Sequence, residues 1–294
     1  MIALLDIGGT QIKYGVFDEE KNELIDLGAT DTGPFTEDFS MVGKVEAIVA
    51  KIAKEYPVEG LGISSAGTVD HQTGEIVYAN PNIPNYKGTQ LKQELEEFLQ
   101  VPCWVENDVN SALLGEIHFG KLEDVKHAIM FTIGTGVGGA LYLNGELYHG
   151  ASMSAGEVGY STLDGKNIEE VISARALVAR AQTIFDDSTI DGYWLFEQAK
   201  AGNEKCQEII DIFLDQLSQF IINSVSLINP EVVILGGGIM QQVDYLEERL
   251  AEKFNTFSNK FVLEQTQIKF ASLGNKAGMY GAYSHYQTME AKQS

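Results

Sequence analysis

Four short stretches of this chain carry residue types that can handle phosphate or move a proton. Asp6-Ile7-Gly8-Gly9-Thr10 sets an acid ahead of two glycines and a hydroxyl. Glycines let backbone N–H groups come close to a phosphate, Thr10 adds a side-chain donor, and Asp6 is suited to hold Mg²⁺ through water. The same residues also make an ordinary hairpin turn with an acidic flank. Gly134-Thr135-Gly136-Val137-Gly138-Gly139 has the spacing of a dinucleotide fingerprint, which requires a strand before it and a helix after it. Here Ala140-Leu141-Tyr142-Leu143-Asn144-Gly145 follows, a strand and a hairpin turn, so a phosphate loop between two strands is the better reading. Gly236-Gly237-Gly238 follows an apolar run and suits either a flat base and ribose or tight helix packing. In Glu106-Asn107-Asp108, Asp108 can take a proton from an attacking hydroxyl in a phosphoryl transfer, with Asn107 offering both donor and acceptor. Asp108 can equally be a plain helix cap, and spacing alone leaves both readings open. Gly115 to Leu122 imitates a P-loop but ends on Leu122, which cannot ligate Mg²⁺, and it lies on a helix tail.

The elements that must position these residues alternate between β-branched runs and helical patterns, as in an α/β protein. Strands are expected at Ile2–Ile7, Gln11–Phe17, Leu61–Ser64, Cys103–Val105, Ala128–Ile133, Val232–Leu235 and Gln267–Ala271. Helices are expected near Met41–Tyr56, Thr89–Leu99, after Asp108, Ile168–Thr183, Lys205–Ile228 and Ala277–Thr288. The first two glycine stretches echo each other as strand, glycine turn and antiparallel strand, which suggests two related halves with their turns facing one cleft. We expect a smaller N-terminal domain over 1–112, with the helix at 276–294 packing back on it, and a larger one over 113–275.

The 294 residues carry 20 Lys+Arg against 42 Asp+Glu, a net charge of -22 that opposes nucleic-acid and anionic-membrane binding. It does not oppose a nucleotide held by backbone amides. Cys103 and Cys206 are the only cysteines, too few to staple such a chain, so a reducing compartment is expected. The first residues lack a basic region, and the most apolar stretch, Ile209 to Ile228, is interrupted by Asp211 and Asp215. A soluble cytoplasmic protein is the expectation.

In their order, Asp6–Thr10, Glu106–Asp108, Gly134–Gly139 and Ala155-Gly156-Glu157-Val158-Gly159 resemble the motifs of the ROK family of sugar kinases and repressors, with the triplet at Gly236 extending the likeness. The resemblance covers nearly the whole chain. It implies two ribonuclease-H-like domains of the actin-like ATPase type, flanking an active-site cleft. It implies ATP and Mg²⁺ as cofactors and a hexose or hexoside as the hydroxyl substrate. Asp108 then matches the catalytic base, Asn107 its sugar-binding neighbour and Glu157 an acid on sugar hydroxyls. Asp6, Gly8, Gly9, Thr10 and Lys13 match the first phosphate motif, Thr135 and Gly136 the second, and Gly236, Gly237 and Gly238 the adenosine side. Ser65, Ala66, Gly67 and Asn82 resemble residues lining the sugar site. The resemblance also allows a homodimer.

Departures from the family pattern carry information. Members with zinc have a histidine where this chain has Tyr160, followed by three cysteines, but residues 163 to 171 contain none. No zinc is therefore expected, and the segment at Leu163–Asn167 is expected to be more mobile than a metal-clamped loop. Glu169 and Ser173 keep the spacing of a sugar-contacting glutamate and its serine, so Glu169 is carried over as a sugar contact, with Glu170 as the rival. Tyr160 brings a ring that can support a substituent on the sugar. The competing reading is a sugar-sensing regulator without kinase activity. Repressors of the family place a helix-turn-helix ahead of the first glycine turn, where Asp6 leaves no room for one.

Overall fold

The near-continuous apolar run Ile2-Ala-Leu-Leu-Asp-Ile7 gives a strand with apolar side chains on both faces, and such a strand needs cover on both sides. The computed structural model describes residues 1–36, 38–79, 83–120, 122, 124–257 and 260–293. Two compact units emerge: Met1–Glu123 with Gly150–Ser154 and Leu273–Ser294, and Asp124–His149 with Ala155–Ser272.

The first unit runs β1 (Ile2–Ile7), β2 (Gln11–Asp18), β3 (Glu23–Asp31), α1 (Met41–Glu55), β4 (Gly60–Ser65), β5 (Thr68–Asp70), β6 (Glu75–Tyr78), α2 (Leu91–Leu99), β7 (Cys103–Asn107) and α3 (Asp108–Phe119). Its five-stranded sheet has the order β3-β2-β1-β4-β7, with β1 antiparallel to β2 and parallel to β4. Ala3, Leu5 and Ile7 pack with Val45, Val49, Leu91 and Leu95 of α1 and α2 on one face.

The second unit runs β8 (Ala128–Ile133), β9 (Val137–Leu143), β10 (Glu146–Leu147), β11 (Thr162–Leu163), β12 (Lys166–Asn167), α4 (Glu169–Ile172), α5 (Ala174–Phe185), α6 (Gly192–Lys200), α7 (Glu204–Ile228), β13 (Val232–Gly236), α8 (Val243–Asn255), α9 (Lys260–Leu263) and β14 (Gln267–Phe270). Its sheet has the order β10-β9-β8-β13-β14. β8 is antiparallel to β9 and parallel to β13, the relations β1 has to β2 and β4. The echo in sequence is thus an echo in topology. On α7, Ile210, Phe213, Leu214, Leu217, Ile221 and Val225 form the stripe that fills the core beneath Phe131, Val233 and Leu235.

The chain then re-enters the first unit as α10 (Ala277–Gln293). Met279, Ala282, Tyr283 and Tyr286 cover Ile2 and Leu4, the face of β1 that α1 and α2 leave bare. α10 also approaches α3 closely, which a small residue allows: a β-carbon at Gly281 would stand 1.6 Å from the Ser111 carbonyl oxygen. Because α3 packs on α10, the whole of α3 belongs with the first unit, which extends to Glu123 and not only to 112.

Three further differences have local causes. The expected helix over 168–183 is broken at Ser173, which has extended backbone and whose hydroxyl caps α5 by accepting from the Ala176 N–H at 3.0 Å. β3 was not foreseen because it is an edge strand, largely exposed and carrying a left-handed residue at Asp26. The segment expected to be a mobile loop is a hairpin: Leu163 pairs with Lys166 and Thr162 with Asn167, around Asp164 and Gly165 at φ 50° and 76°. Asp-Gly is the residue pair that this turn geometry favours. Among the described residues no helix is long and apolar enough to cross a membrane.

Candidate active site

Parallel pairing aligns three strand ends in the first unit. Ile7 lies beside Ser65, and Ser65 beside Asn107, so the turn at Gly8, the segment Ala66-Gly67 and Asp108 all leave the sheet at one edge. The carboxyl edge of a parallel sheet is where such folds bind ligands. Asp6 sits one residue before that edge. Its Oδ1 accepts from the Ser64 hydroxyl at 2.8 Å, and its Oδ2 is paired with the Lys13 ammonium at 3.1 Å. Ser64 was not foreseen, although it stands opposite Asp6 in the register.

Asn107, and not Asp108, is the cap of α3. Its Oδ1 accepts from the N–H groups of Val109 at 2.9 Å and Asn110 at 3.1 Å. Its amide nitrogen donates to the Gly67 carbonyl at 2.9 Å and to Asp108 Oδ1 at 3.0 Å. The N-cap position is therefore taken by Asn107, while Asp108 Oδ1 shares the Val109 N–H at 2.9 Å and is oriented by the Asn107 amide. As an acid in the first helical turn, Asp108 also interacts favourably with the helix dipole. Behind them Glu106 is fully buried, and its Oε1 accepts from the Asn107 N–H at 2.7 Å and the Asn110 amide at 2.9 Å.

Of the residues expected at a sugar, Ser65 is wholly buried, with its hydroxyl 2.6 Å from that of Tyr86. Burial raises the Tyr86 phenol well above its ordinary pKa, so it stays neutral. Ser65 thus lies behind the exposed edge rather than on it, while Ala66 and Gly67 are only half-buried. Asn82 lies outside the described residues.

In the second unit Gly236 pairs beside Thr132, so the second glycine turn and the glycine triplet also leave one sheet edge together. Thr135 is exposed at the tip of that turn. Glu169 reaches the turn from below: its Oε1 accepts from the Val137 N–H at 3.0 Å. A β-carbon at Gly136 would stand 2.3 Å from that oxygen, and one at Gly159 3.0 Å, so two glycines open the slot it occupies. Glu170 is exposed on the outside of α4. Glu157 is exposed, and Tyr160 is 70% exposed.

The glycines of the three motifs divide by cause. Gly237 has φ 101°, and a β-carbon there would lie 2.2 Å from the Ile133 carbonyl oxygen, so the fold itself demands it. Gly9, Gly134 and Gly238 have no positive φ and no atom within 4 Å of a would-be β-carbon. Nothing inside the protein asks for glycine at these three positions, one in each motif.

The ROK family profile matches residues 2–288. The chain belongs to the ROK family. An uncharacterized protein of Clostridium perfringens is 40% identical to this ROK protein over 98% of both chains. A beta-glucoside kinase of Klebsiella pneumoniae is 30% identical, over 98% of this chain and 96% of its own. A ROK family glucokinase from Streptomyces griseus, solved in complex with glucose and AMPPNP, matches with a TM-score of 0.79 and 27% identity, covering 96% of this chain and 98% of that one. This ROK protein is a mixed α/β chain with two five-stranded sheets. Among its described residues no group of three or more His, Cys, Asp or Glu side chains is gathered to hold a metal.

Proposed function

We propose that this ROK protein is an ATP-dependent carbohydrate kinase in which Asp108 accepts the proton of the attacking hydroxyl. The observation that carries the reading is the set of open glycines, Gly9, Gly134 and Gly238. A glycine that the fold does not need is explained by a ligand whose approach a side chain would block. Phosphates and a nucleotide fit, because the exposed turns offer backbone N–H groups in a chain whose net charge is -22.

Phosphoryl transfer asks the protein mainly to position groups and to stabilise charge. Asp108 Oδ1 is held by the Val109 N–H at 2.9 Å and the Asn107 amide at 3.0 Å, which fixes the carboxylate for its proton. Glu106 and the Gly67 carbonyl hold Asn107 in turn. Mg²⁺ suits Asp6, a single carboxylate already bonded to Ser64 and Lys13, because that ion keeps several waters and is shared with phosphates rather than caged by protein. When bound with the nucleotide it would neutralise phosphate charge. Lys13 adds a fixed positive charge at the same turn.

For the acceptor we propose a hexose that bears a substituent or a second ring, phosphorylated at a primary hydroxyl. The relative named beta-glucoside kinase and the exposed ring of Tyr160 support this class. Glu157 and Glu169 are the proposed sugar contacts in the second unit. Assays of ADP formation with glucose, fructose, N-acetylmannosamine, glucosides and disaccharides test both parts. No ADP with any of them refutes the kinase, and leaves the sugar-binding regulator as the reading to pursue. A kcat/KM at least about tenfold higher for one free monosaccharide than for every glycoside refutes only the acceptor class.

A further inference from the structure

Thr32 and Lys44 belong to none of the motifs, yet together they grip the first glycine turn. Thr32 follows β3 and is wholly buried. Its N–H donates to the Thr10 carbonyl at 2.8 Å, and its hydroxyl donates to the Gly8 carbonyl at 2.7 Å. The Thr32 carbonyl accepts from the Lys44 ammonium at 2.9 Å. That ammonium also donates to the carbonyl of Gly33 at 2.9 Å and to that of Asp31. Lysine has three N–H donors and three carbonyls receive them, an arrangement that resembles the carbonyl shell of a bound monovalent cation. Lys44 stands in the first turn of α1, whose dipole disfavours a cation, so helix formation does not explain its place.

The consequence for the turn follows from peptide geometry. In a trans peptide the C=O and the next N–H point in opposite directions. Holding the Gly8 carbonyl against Thr32 therefore turns the Gly9 N–H away from Thr32, and a would-be β-carbon at Gly9 meets no protein atom within 4 Å. We infer that Lys44 is a positioning residue for nucleotide phosphate: a built-in cation that gathers the carbonyls at 31–33, fixes Thr32, and so aims the Gly9 N–H. The inference rests on the proposal that this turn binds phosphate.

The test is calorimetric titration of the full chain with Mg·AMPPNP, together with thermal melting. Lys44→Ala should lose about tenfold in affinity, the effect of one charge-assisted hydrogen bond. Propylammonium chloride should restore it, because the free ammonium re-enters the carbonyl cage, whereas tetramethylammonium chloride, which has no N–H donor, should not. Thr32→Val should lose affinity similarly, and Thr32→Ser, which keeps the hydroxyl, should not. If Lys44→Ala fails to fold, Lys44→Met, which keeps the stem and loses the ammonium, takes its place and should lose affinity likewise. Unchanged affinity in both Lys44→Ala and Thr32→Val overturns the inference, and so does equal rescue by the two salts. An unaltered chain that binds no Mg·AMPPNP overturns the kinase reading and this inference with it.

Discussion

Substituting alanine at Gly9 and at Gly237 should move stability in opposite directions while weakening nucleotide binding at the first. At Gly9 the new methyl meets no protein atom within 4 Å and the backbone is not left-handed. Alanine there lowers the entropy of the unfolded chain, which stabilises by about 0.4–1 kcal/mol. On a chain of this size that raises Tm by roughly 1–3 °C. The same methyl stands where we place the phosphate, and forcing an extra carbon into an occupied site costs about 1–3 kcal/mol. Mg·AMPPNP affinity should then fall by about 5- to 150-fold, by RT ln K. At Gly237 the methyl would lie 2.2 Å from the Ile133 carbonyl oxygen at φ 101°. Strain of that kind costs about 1–3 kcal/mol, so Tm should drop. Differential scanning calorimetry and isothermal titration on the two variants read both effects. A Gly9→Ala protein with normal AMPPNP affinity, or with a lowered Tm, would refute the reasoning.

Asp108→Asn should lower kcat by about 10²–10⁴-fold with little change in sugar affinity, measured by steady-state kinetics beside a binding titration; a near-normal kcat removes Asp108 from the chemistry. Elemental analysis of the purified protein should find no stoichiometric zinc, and a chelator should leave its melting curve unmoved; one zinc per chain would refute this. Gly165→Val should destabilise by about 1 kcal/mol or more, because φ 76° is costly for a β-branched residue, and should raise KM for sugar through the neighbouring Glu169; an unchanged KM would separate the hairpin from the pocket. Glu169→Gln tests whether the bond to the Val137 N–H matters to nucleotide: Mg·AMPPNP binding without sugar should weaken, and an effect confined to sugar KM would refute that link.

How much of this was legible beforehand depends on the range of the interaction. The glycine turns and their strands were readable because β-branched periodicity and glycine act locally, and their repetition gave the paired sheets. Asp108 is legible as a candidate, but the choice of Asn107 as the N-cap is not, since both residues are good caps and only the fold chooses between them. Tyr86, Ser64, Thr32 and Lys44 gave no local signal. Each acts through a partner far along the chain, such as Asp6 for Ser64 or Gly8 for Thr32. The hairpin at Asp164-Gly165 does have a local signal, the turn pair itself.

The return of α10 to the first unit bears on how the molecule is made. Ile2 and Leu4 of β1 are covered by Met279, Ala282, Tyr283 and Tyr286, and a β-carbon at Gly278 would lie 2.8 Å from Asp6 Oδ1. The carboxylate that opens the first glycine turn therefore has its surroundings completed by residues translated after the entire second unit. At about 5–20 residues per second, a ribosome spends on the order of ten seconds on that intervening stretch. Throughout that interval Ile2 and Leu4 of β1 lack the apolar cover that α10 supplies. A chain ending just before Ala277 would lack the cover over Ile2 and Leu4, although Lys13 and Ser64, the partners of Asp6, would remain.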